Sequence, residues 1–204
     1  HTGVGTGTLK LSDTSLTGDQ IKSVNDASTN AIDLTNVTTI STATMAEALE
    51  IVNNTGAVFT TAPNYAITIS DTSSASNVNL VAGDTTGIVT ATVTADTAAN
   101  LNATLTNATA TDALTLTVNG ATAQATDLID LDGKTSVDVS VTATAVSGTF
   151  ANLNTVYVTN VANYVNLGDE NVTITDTTSA SNVNIILGAT SGNVTAIVTA
   201  DTAA

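Results

Sequence analysis

The sequence has no cysteine and no arginine, and aromatic residues make up only 2% of its 204 residues. Without cysteine, the chain can form neither a disulfide framework nor a thiolate metal site. Hydrophobic residues nevertheless make up 42% of the chain, so its core must consist mainly of Val, Ile, Leu and Ala. Such a core suits thin, repeated layers better than one globule built around large rings.

Basic residues are even scarcer than aromatic ones. Three lysines, Lys10, Lys22 and Lys134, stand against 18 Asp plus Glu, which gives a formal net charge of −15 at pH 7. A chain this acidic is repelled by nucleic acids and anionic membrane surfaces, and it attracts cations or a basic partner. Since no apolar run approaches the roughly 18 residues of a membrane-spanning helix, we expect neither nucleic-acid binding nor membrane insertion.

The side chains that most often carry catalysis are also few. His1 is the only histidine, and the glutamates are Glu47, Glu50 and Glu170. A serine–histidine–aspartate triad would depend on the terminal His1. The neighbouring acids Asp169 and Glu170 could act in acid–base chemistry, but a solvated turn is the simpler interpretation. We therefore expect that the protein is not an enzyme.

What the sequence does contain is a long internal repeat. Residues 71–99 align without a gap to residues 176–204, and 21 of the 29 aligned positions are identical. The offset of 105 residues persists upstream at lower identity, so that residues 1–99 match residues 106–204. Self-similarity of this kind is typical of repeat proteins. We predict two structural copies, residues 1–99 and residues 100–204.

Within each copy, short stretches alternate apolar residues with Thr, Ser or Asp, a pattern typical of β-strands. The stretches are TLKLSD (8–13), AIDLTNV (31–37), AITIS (66–70), IVTATVTAD (88–96), ALTLTVN (113–119), SVDVSVTAT (136–144), NVTITD (171–176) and NVTAIVTAD (193–201). Most of them start 22 to 25 residues apart. A longer interval of 35 residues occurs once in each copy, with room for a further short strand near 57–61 and 156–160.

Between the predicted strands the apolar residues take helical spacing, most clearly at Met45, Leu49 and Val52. Strand, helix and strand in this order favour parallel strands joined by crossovers. The sequence thus predicts a β-rich repeat protein, a parallel β-solenoid with short helices between the strands. The alternative is a pair of tandem immunoglobulin-like β-sandwiches, for which about 105 residues is also a natural domain length.

Aspartate followed by threonine closes several of the predicted strands. The five aspartates are Asp13, Asp71, Asp96, Asp176 and Asp201. In the simpler interpretation, each carboxylate accepts backbone N–H groups in an Asx turn or at a helix start. In the functional interpretation, stacked carboxylates hold Ca²⁺, which prefers several oxygen ligands.

The sharpest candidates for calcium ligands are Asp127, Asp130 and Asp132, with Gly133 directly behind them. The segment lacks the twelve-residue loop of an EF-hand and the glycine-rich nonapeptides of calcium-binding β-rolls. Calcium is therefore the one cofactor that the sequence indicates, and these three residues are its predicted ligands.

Threonine recurs at alternate positions of several predicted strands. The rows are Thr90, Thr92 and Thr94; Thr115 and Thr117; Thr142 and Thr144; and Thr173 and Thr175. On one sheet face they would form a hydroxylated surface that resembles the Thr-x-Thr arrays of ice-binding proteins. The simpler account is that threonine suits exposed strands. Interruptions of the rows favour this simpler account; they occur at Lys10, Asp33, Asp138 and Ile197.

Two phrases, VTADTAANLNATL (93–105) and VTITDTTSASNVNI (172–185), resemble the Asp-Thr-Ala-Ala-Asn repeats of large bacterial, often cyanobacterial, cell-surface and secreted proteins. Proteins of that kind act as surface-layer, sheath, filament or adhesin proteins. The resemblance implies an extracellular or cell-surface location, and it brings no catalytic residues with it.

Together these features predict an extracellular structural protein that self-assembles head to tail into a filament, a sheath or a surface layer. Its partners would then be copies of itself. The alternative function is that of an adhesin or surface-binding module, which holds a glycan, ice or a target that needs calcium. The partners in that case would be cations or surface glycans.

Overall fold

The computed structural model describes residues 7–200 of the chain. Over these residues the fold is mixed α/β, with 33% helix and 28% strand. Contacts divide the chain into two compact units. The first consists of the chain up to Val93 together with Leu105–Leu114, and the second of Thr94–Thr104 and the chain from Thr115 onward.

The first unit alternates short strands with three helices. The strands are β1 (Leu9–Lys10), β2 (Ser15–Leu16), β3 (Ile32–Leu34), β4 (Thr39–Ala43), β5 (Phe59–Thr61), β6 (Ala66–Ile69), β7 (Val89–Thr92) and the first residues of β8 (Ala113–Thr115). The helices are α1 (Gly18–Ala27), α2 (Met45–Val52) and α3 (Ala75–Asp84). The strands form two parallel sheets, in the orders β1-β3-β5 and β2-β4-β6-β7-β8.

The second unit repeats this plan with four helices. Its helices are α4 (Ala98–Thr104), α5 (Ala125–Asp132), α6 (Phe150–Asn154) and α7 (Ala180–Leu187), and a π-helical turn (Thr155–Thr159) and a 3₁₀ turn (Val161–Asn163) follow α6. Its strands are β9 (Thr117–Val118), β10 (Ala123–Gln124), β11 (Val139–Val141), β12 (Ala145–Gly148), β13 (Tyr164–Val165), β14 (Asn171–Thr178) and β15 (Val194–Val198). They form the parallel sheets β9-β11-β13 and β10-β12-β14-β15.

The helices are too short to be stable alone, so they depend on capped ends and on packing. Thr17 and Thr44 each form a capping box, with Gln20 and Glu47 respectively. Four further helices among the described residues start at a hydroxyl that accepts the N–H group of the third helical residue; these hydroxyls belong to Ser74, Thr97, Thr149 and Ser179. Local chemistry thus fixes where most of the helices begin.

The core of each unit is aliphatic. Strand register places branched side chains next to each other: Ile67 pairs with Ile40 on one side and with Val89 on the other, and all three are buried. In the second unit Val146 pairs with Val172 in the same way. Rings enter the core only at a few places among the described residues, namely Phe59, Tyr65, Tyr157 and Tyr164.

Structural elements recur at the offset of the sequence repeat. Helix α3 begins at Ala75 and α7 at Ala180, while β7 begins at Val89 and β15 at Val194, in each case 105 residues apart. The division into residues 1–99 and 100–204 stays a prediction about the repeat.

The predicted fold class is wrong. Helices account for more of the described residues than strands do, so the chain is neither a β-rich solenoid nor a pair of β-sandwiches. Sandwiches of the immunoglobulin type consist of antiparallel sheets, whereas the four sheets here are parallel. The chain is a mixed α/β protein with small parallel sheets.

The error came from the length of the strands and from helices whose sequences, unlike that of α2, show little helical spacing. The alternating stretch at 88–96 forms a strand only over Val89–Thr92, and the stretch at 113–119 is divided into two short strands. The strand predicted near 156–160 is a π-helical turn. Helices such as α3 and α7 are rich in Ser, Asn and Ala, and their sequence carries only weak helical periodicity, so caps and tertiary packing decide them.

Two of the strand-closing aspartates bind the start of a helix. Asp71 Oδ1 accepts the backbone N–H of Met45 at the first residue of α2, and Asp176 Oδ1 accepts that of Phe150 at the first residue of α6, both at 2.7 Å. The two contacts are equivalent in the repeat. A carboxylate at this end of a helix satisfies an unpaired N–H group and interacts favourably with the helix dipole.

The other strand-closing aspartates differ from this pattern. Asp96 accepts the side-chain amide of Asn100 at 2.9 Å and the N–H of Thr97 at 2.7 Å. These two hydrogen bonds, the one from Asn100 first, hold the pKa of Asp96 below its usual value. Asp13 is exposed and accepts no hydrogen bond from the described residues, and Asp201 lies outside them. The hydrogen-bond interpretation therefore accounts for Asp71, Asp96 and Asp176 without an ion.

Replacing the helix-capping carboxylates tests their structural role. We expect Asp71→Ala and Asp176→Ala each to lower the free energy of unfolding by about 1 kcal/mol, because each removes a charge-assisted bond to a helix start. Asp13→Ala is the matched control and should change it by less than about 0.5 kcal/mol. Urea unfolding monitored by circular dichroism measures all three. Equal losses at the three positions would contradict the assignment.

Candidate functional site

The three predicted calcium ligands lie on α5, but the structure does not assemble them into a metal site. The side-chain amide of Asn102 donates to Asp130 Oδ2 at 3.1 Å and to Asp127 Oδ1 at 3.4 Å. Asp132 Oδ2 instead accepts the side-chain amide of Asn163 at 3.0 Å. Over residues 7–200, no group of three or more acidic or histidine side chains is arranged so that it could hold a metal ion. We base no proposal on these aspartates.

The threonine rows are mostly exposed, and some of their hydroxyls already serve the fold. Thr142 Oγ1 donates to the carbonyl of Val118 and Thr144 Oγ1 to that of Ala121, both at 2.9 Å. Thr90 and Thr117 are half-buried. Hydroxyls committed to backbone carbonyls stabilise neighbouring strands, so these rows carry no separate binding function here.

The last helix and strand of the second unit expose apolar side chains. We call this the end surface, and it consists of Leu187 on α7 together with Val194, Ile197 and Val198 on β15. Ile197 is 65% exposed and Val198 47% exposed. Strand β15 also stands last in its sheet, so that, within the described residues, its outer edge offers unpaired backbone groups. Edges of this kind pair readily with another strand.

The equivalent surface of the first unit is covered. Val93, which corresponds to Val198, is only 3% exposed, and strand β8 follows β7 in the sheet. Asn107 donates from its backbone N–H to Asn79 Oδ1 at 2.7 Å and from its side chain to the Asn79 carbonyl at 3.0 Å. Asp112 Oδ1 accepts the backbone N–H of Val89 at 2.8 Å. The segment Leu105–Leu114 thus supplies both polar and strand contacts to this surface.

The second unit has the same residue types, Asn and Val, at the positions that receive these contacts in the first unit. Asn184 corresponds to Asn79 and Val194 to Val89, and both residue types are conserved between the copies. Yet Asn184 is exposed and Val194 only half-buried, and the side chain of Asn184 makes no hydrogen bond within residues 7–200. The end surface is therefore built like an internal one but has no cover in the described structure.

A second unusual feature is the buried carboxyl group of Glu170. The residue is 3% exposed, which overturns its interpretation as part of a solvated turn; its neighbour Asp169 is exposed, as expected. Glu170 Oε2 accepts the hydroxyl of Tyr157 at 3.1 Å and the N–H of Gly168 at 2.9 Å. Its other oxygen, Oε1, is buried without a hydrogen-bond partner. Leaving a buried carboxylate oxygen unpaired costs free energy.

The backbone around Glu170 is held tightly. Thr190 Oγ1 donates to the Glu170 carbonyl at 2.8 Å, and the N–H of Gly192 donates to Thr190 Oγ1 at 3.0 Å. A Cβ atom on Gly192 would overlap the Glu170 carbonyl oxygen, so only glycine allows this approach. Apart from the adjacent acids Asp169 and Glu170, no sequence pattern indicates this arrangement.

A cavity of about 400 Å³ adjoins this carboxyl group. Its lining residues are Val141, Thr142, Ala143, Thr144, Asn166, Asp169 and Glu170. All of them belong to the second unit. The cavity therefore combines an exposed carboxylate, a buried one and several neutral oxygen atoms.

All three tyrosines are buried and hydrogen-bonded. Tyr65 donates to Asp84 Oδ2 at 2.8 Å, and Tyr164 to the Leu128 carbonyl at 3.2 Å. Burial raises the pKa of each phenol above its usual value of about 10. Nearby carboxylates add to the rise, with Asp84 acting on Tyr65 and Glu170 on Tyr157. The phenols are thus structural donors that stay protonated.

These pKa values predict a loss of stability at alkaline pH. Above pH of about 10 the phenols of the unfolded chain release protons while those of the folded chain keep them, so the free energy of unfolding falls as pH rises. Phenolate absorbance measures this directly, since the chain has three tyrosines and no tryptophan. The folded protein should show little phenolate until it unfolds, whereas the urea-unfolded control should titrate near 10. Ionisation of the folded protein near 10 would contradict the prediction.

Over residues 7–200, none of the helices combines the length and the apolar character that a bilayer span requires. His1, the only histidine, lies outside these residues.

Comparison with known proteins gives no match among family models, among curated proteins or among solved structures. The resemblance to bacterial surface repeats therefore stays a prediction.

Proposed function

We propose that the chain is an extracellular structural protein that assembles end to end into a filament, a sheath or a surface layer. The observation that carries this proposal is the end surface, where Leu187, Val194 and Val198 lack the cover that their buried counterparts Ala82, Val89 and Val93 have. Exposed apolar surface next to an open strand edge is typical of an association site.

The first unit offers a partner for this surface on another copy. Strand β1 stands first in its sheet among the described residues and corresponds in the repeat to β8, the neighbour of β7, so β1 of a second copy can add to the edge of β15. Such a contact joins two different surfaces, the end surface of one copy and the first strand of the next. An interface of this kind repeats indefinitely unless the rotation between successive copies closes a ring. Open repetition of this kind produces filaments or layers.

The charge of the chain sets the conditions under which copies associate. A formal net charge of −15 makes copies repel each other at low ionic strength, and salt screens that repulsion. The end surface contributes little to it, because Leu187, Val194, Ile197 and Val198 are all uncharged. We therefore expect association to strengthen as salt concentration rises, in contrast to an interface that depends on ion pairs.

A charge placed on the end surface tests the proposal. We expect the full chain to form linear assemblies at raised ionic strength, and Ile197→Lys to weaken association at least about tenfold, which is about 1.4 kcal/mol. Val58→Lys is the matched control, since Val58 is 63% exposed but lies in the first unit. Light scattering across a concentration series gives the association constant, and negative-stain electron microscopy gives the form of the assembly.

Two results would count against end-to-end assembly. One is a chain that stays monomeric at high concentration and raised salt, with and without Ca²⁺. The other is an assembly that Ile197→Lys and Val58→Lys weaken equally, since the contact would then lie elsewhere.

A further inference from the structure

The wall of the cavity beside Glu170 presents hydrogen-bond acceptors. The hydroxyl hydrogens of Thr142 and Thr144 are directed to backbone carbonyls, and the side-chain amide of Asn166 donates to Ser140 Oγ at 2.9 Å. Each of these three side chains keeps oxygen lone pairs available, and the amide of Asn166 keeps one further N–H group. Asp169 and Glu170 add carboxylates, so the cavity lining is rich in oxygen and carries negative charge.

The unpaired Oε1 of Glu170 is the independent sign that something belongs here. Glu170 lines the cavity and is 97% buried. Its Oε2 accepts two hydrogen bonds, whereas its Oε1 is buried without a hydrogen-bond partner. A buried carboxylate oxygen normally finds a donor or a cation. No lysine fills this role among the described residues, because Oε1 of Glu170 has no hydrogen-bond partner there.

We propose that this cavity is a Ca²⁺ site, held by the carboxylates of Asp169 and Glu170 with Asn166 and the threonine hydroxyls completing the oxygen shell. Ca²⁺ accepts six to eight oxygen ligands in flexible geometry, including amide oxygens and water, whereas Mg²⁺ demands near-ideal octahedral geometry. Two carboxylates give a weak site, so we expect dissociation in the range of about 0.1 to 1 mM, as in extracellular modules. The proposal does not depend on end-to-end assembly.

The first copy of the repeat provides a natural contrast. At the positions that correspond to Asp169 and Glu170 it has Asn64 and Tyr65, and neither carries a carboxylate. The corresponding place in the first unit should therefore not bind the ion. One site per chain is the expected stoichiometry.

Terbium luminescence tests the site with the full chain. Tb³⁺ takes the place of Ca²⁺, and Tyr157, whose hydroxyl binds Glu170 at 3.1 Å, lies near enough to sensitise its emission. We expect saturable emission with one ion per chain that Ca²⁺ displaces and Mg²⁺ displaces poorly. Tyr157→Phe should remove most of the emission while Ca²⁺ still raises the Tm.

Charge-matched variants separate a built site from general attraction to an acidic protein. Asp169→Asn should weaken Ca²⁺ binding at least about tenfold, whereas Asp130→Asn, which removes the same charge elsewhere, should weaken it less than about twofold. Glu170→Gln keeps an oxygen for Tyr157 and Gly168 and should also abolish binding. Because Asp169 is exposed, Asp169→Asn decides the matter even if Glu170→Gln fails to fold.

The outcomes that overturn the proposal are equally definite. Equal weakening by Asp169→Asn and Asp130→Asn would show only diffuse attraction of cations to the acidic chain. Emission that does not saturate, or that survives unchanged in Tyr157→Phe, would place the ion away from Glu170.

Discussion

Burial of branched aliphatic side chains between neighbouring parallel strands is the interaction on which this chain depends. Its strands are two to eight residues long, too short to be stable in isolation. Ile67 is buried because Ile40 lies beside it in one neighbouring strand and Val89 in the other. Among the described residues, strand β15 has no such neighbour on one side and exposes apolar residues that its counterpart β7 and the residue after it bury. Val198 and Val93 show this difference in a single residue type.

Several acidic residues stabilise the fold as hydrogen-bond acceptors of backbone N–H groups. Asp71 and Asp176 accept helix-start N–H groups, and the buried Asp112 accepts the N–H groups of Val89 and Thr109, each at 2.8 Å. Backbone N–H groups thus compensate the negative charge of carboxylates for which the three lysines would not suffice. Glu170 departs from this rule, because one of its oxygens is buried without a donor.

The two copies conserve one tyrosine–carboxylate contact by different residues. In the first, Tyr65 donates to Asp84; in the second, Glu170 occupies the position of Tyr65, and Ala189 that of Asp84. The ring is then supplied by Tyr157, from the π-helical turn that follows α6, and its hydroxyl binds Glu170. Such turns inserted into helices are frequent at functional sites. Exchanging ring and acid preserves the buried hydrogen bond, and it brings a carboxylate to the wall of the cavity.

The amino-acid order by itself determined the repeat of 105 residues, the aliphatic core and the positions of many short strands. The repeat is visible as sequence identity between the copies, and the strands as alternation of apolar and polar residues. The amino-acid order indicated α2 through the spacing of Met45, Leu49 and Val52, but it did not reveal helices such as α3, since segments rich in Ser, Asn and Ala become helical through caps and packing. Tertiary structure alone decided that Asp127, Asp130 and Asp132 do not meet at a common ion, and that Glu170 is buried while Asp169 is exposed. It also decided that Val194 is less buried than Val89. Burial and hydrogen-bond partners depend on what lies next to a residue in space, and identical sequences can have different neighbours.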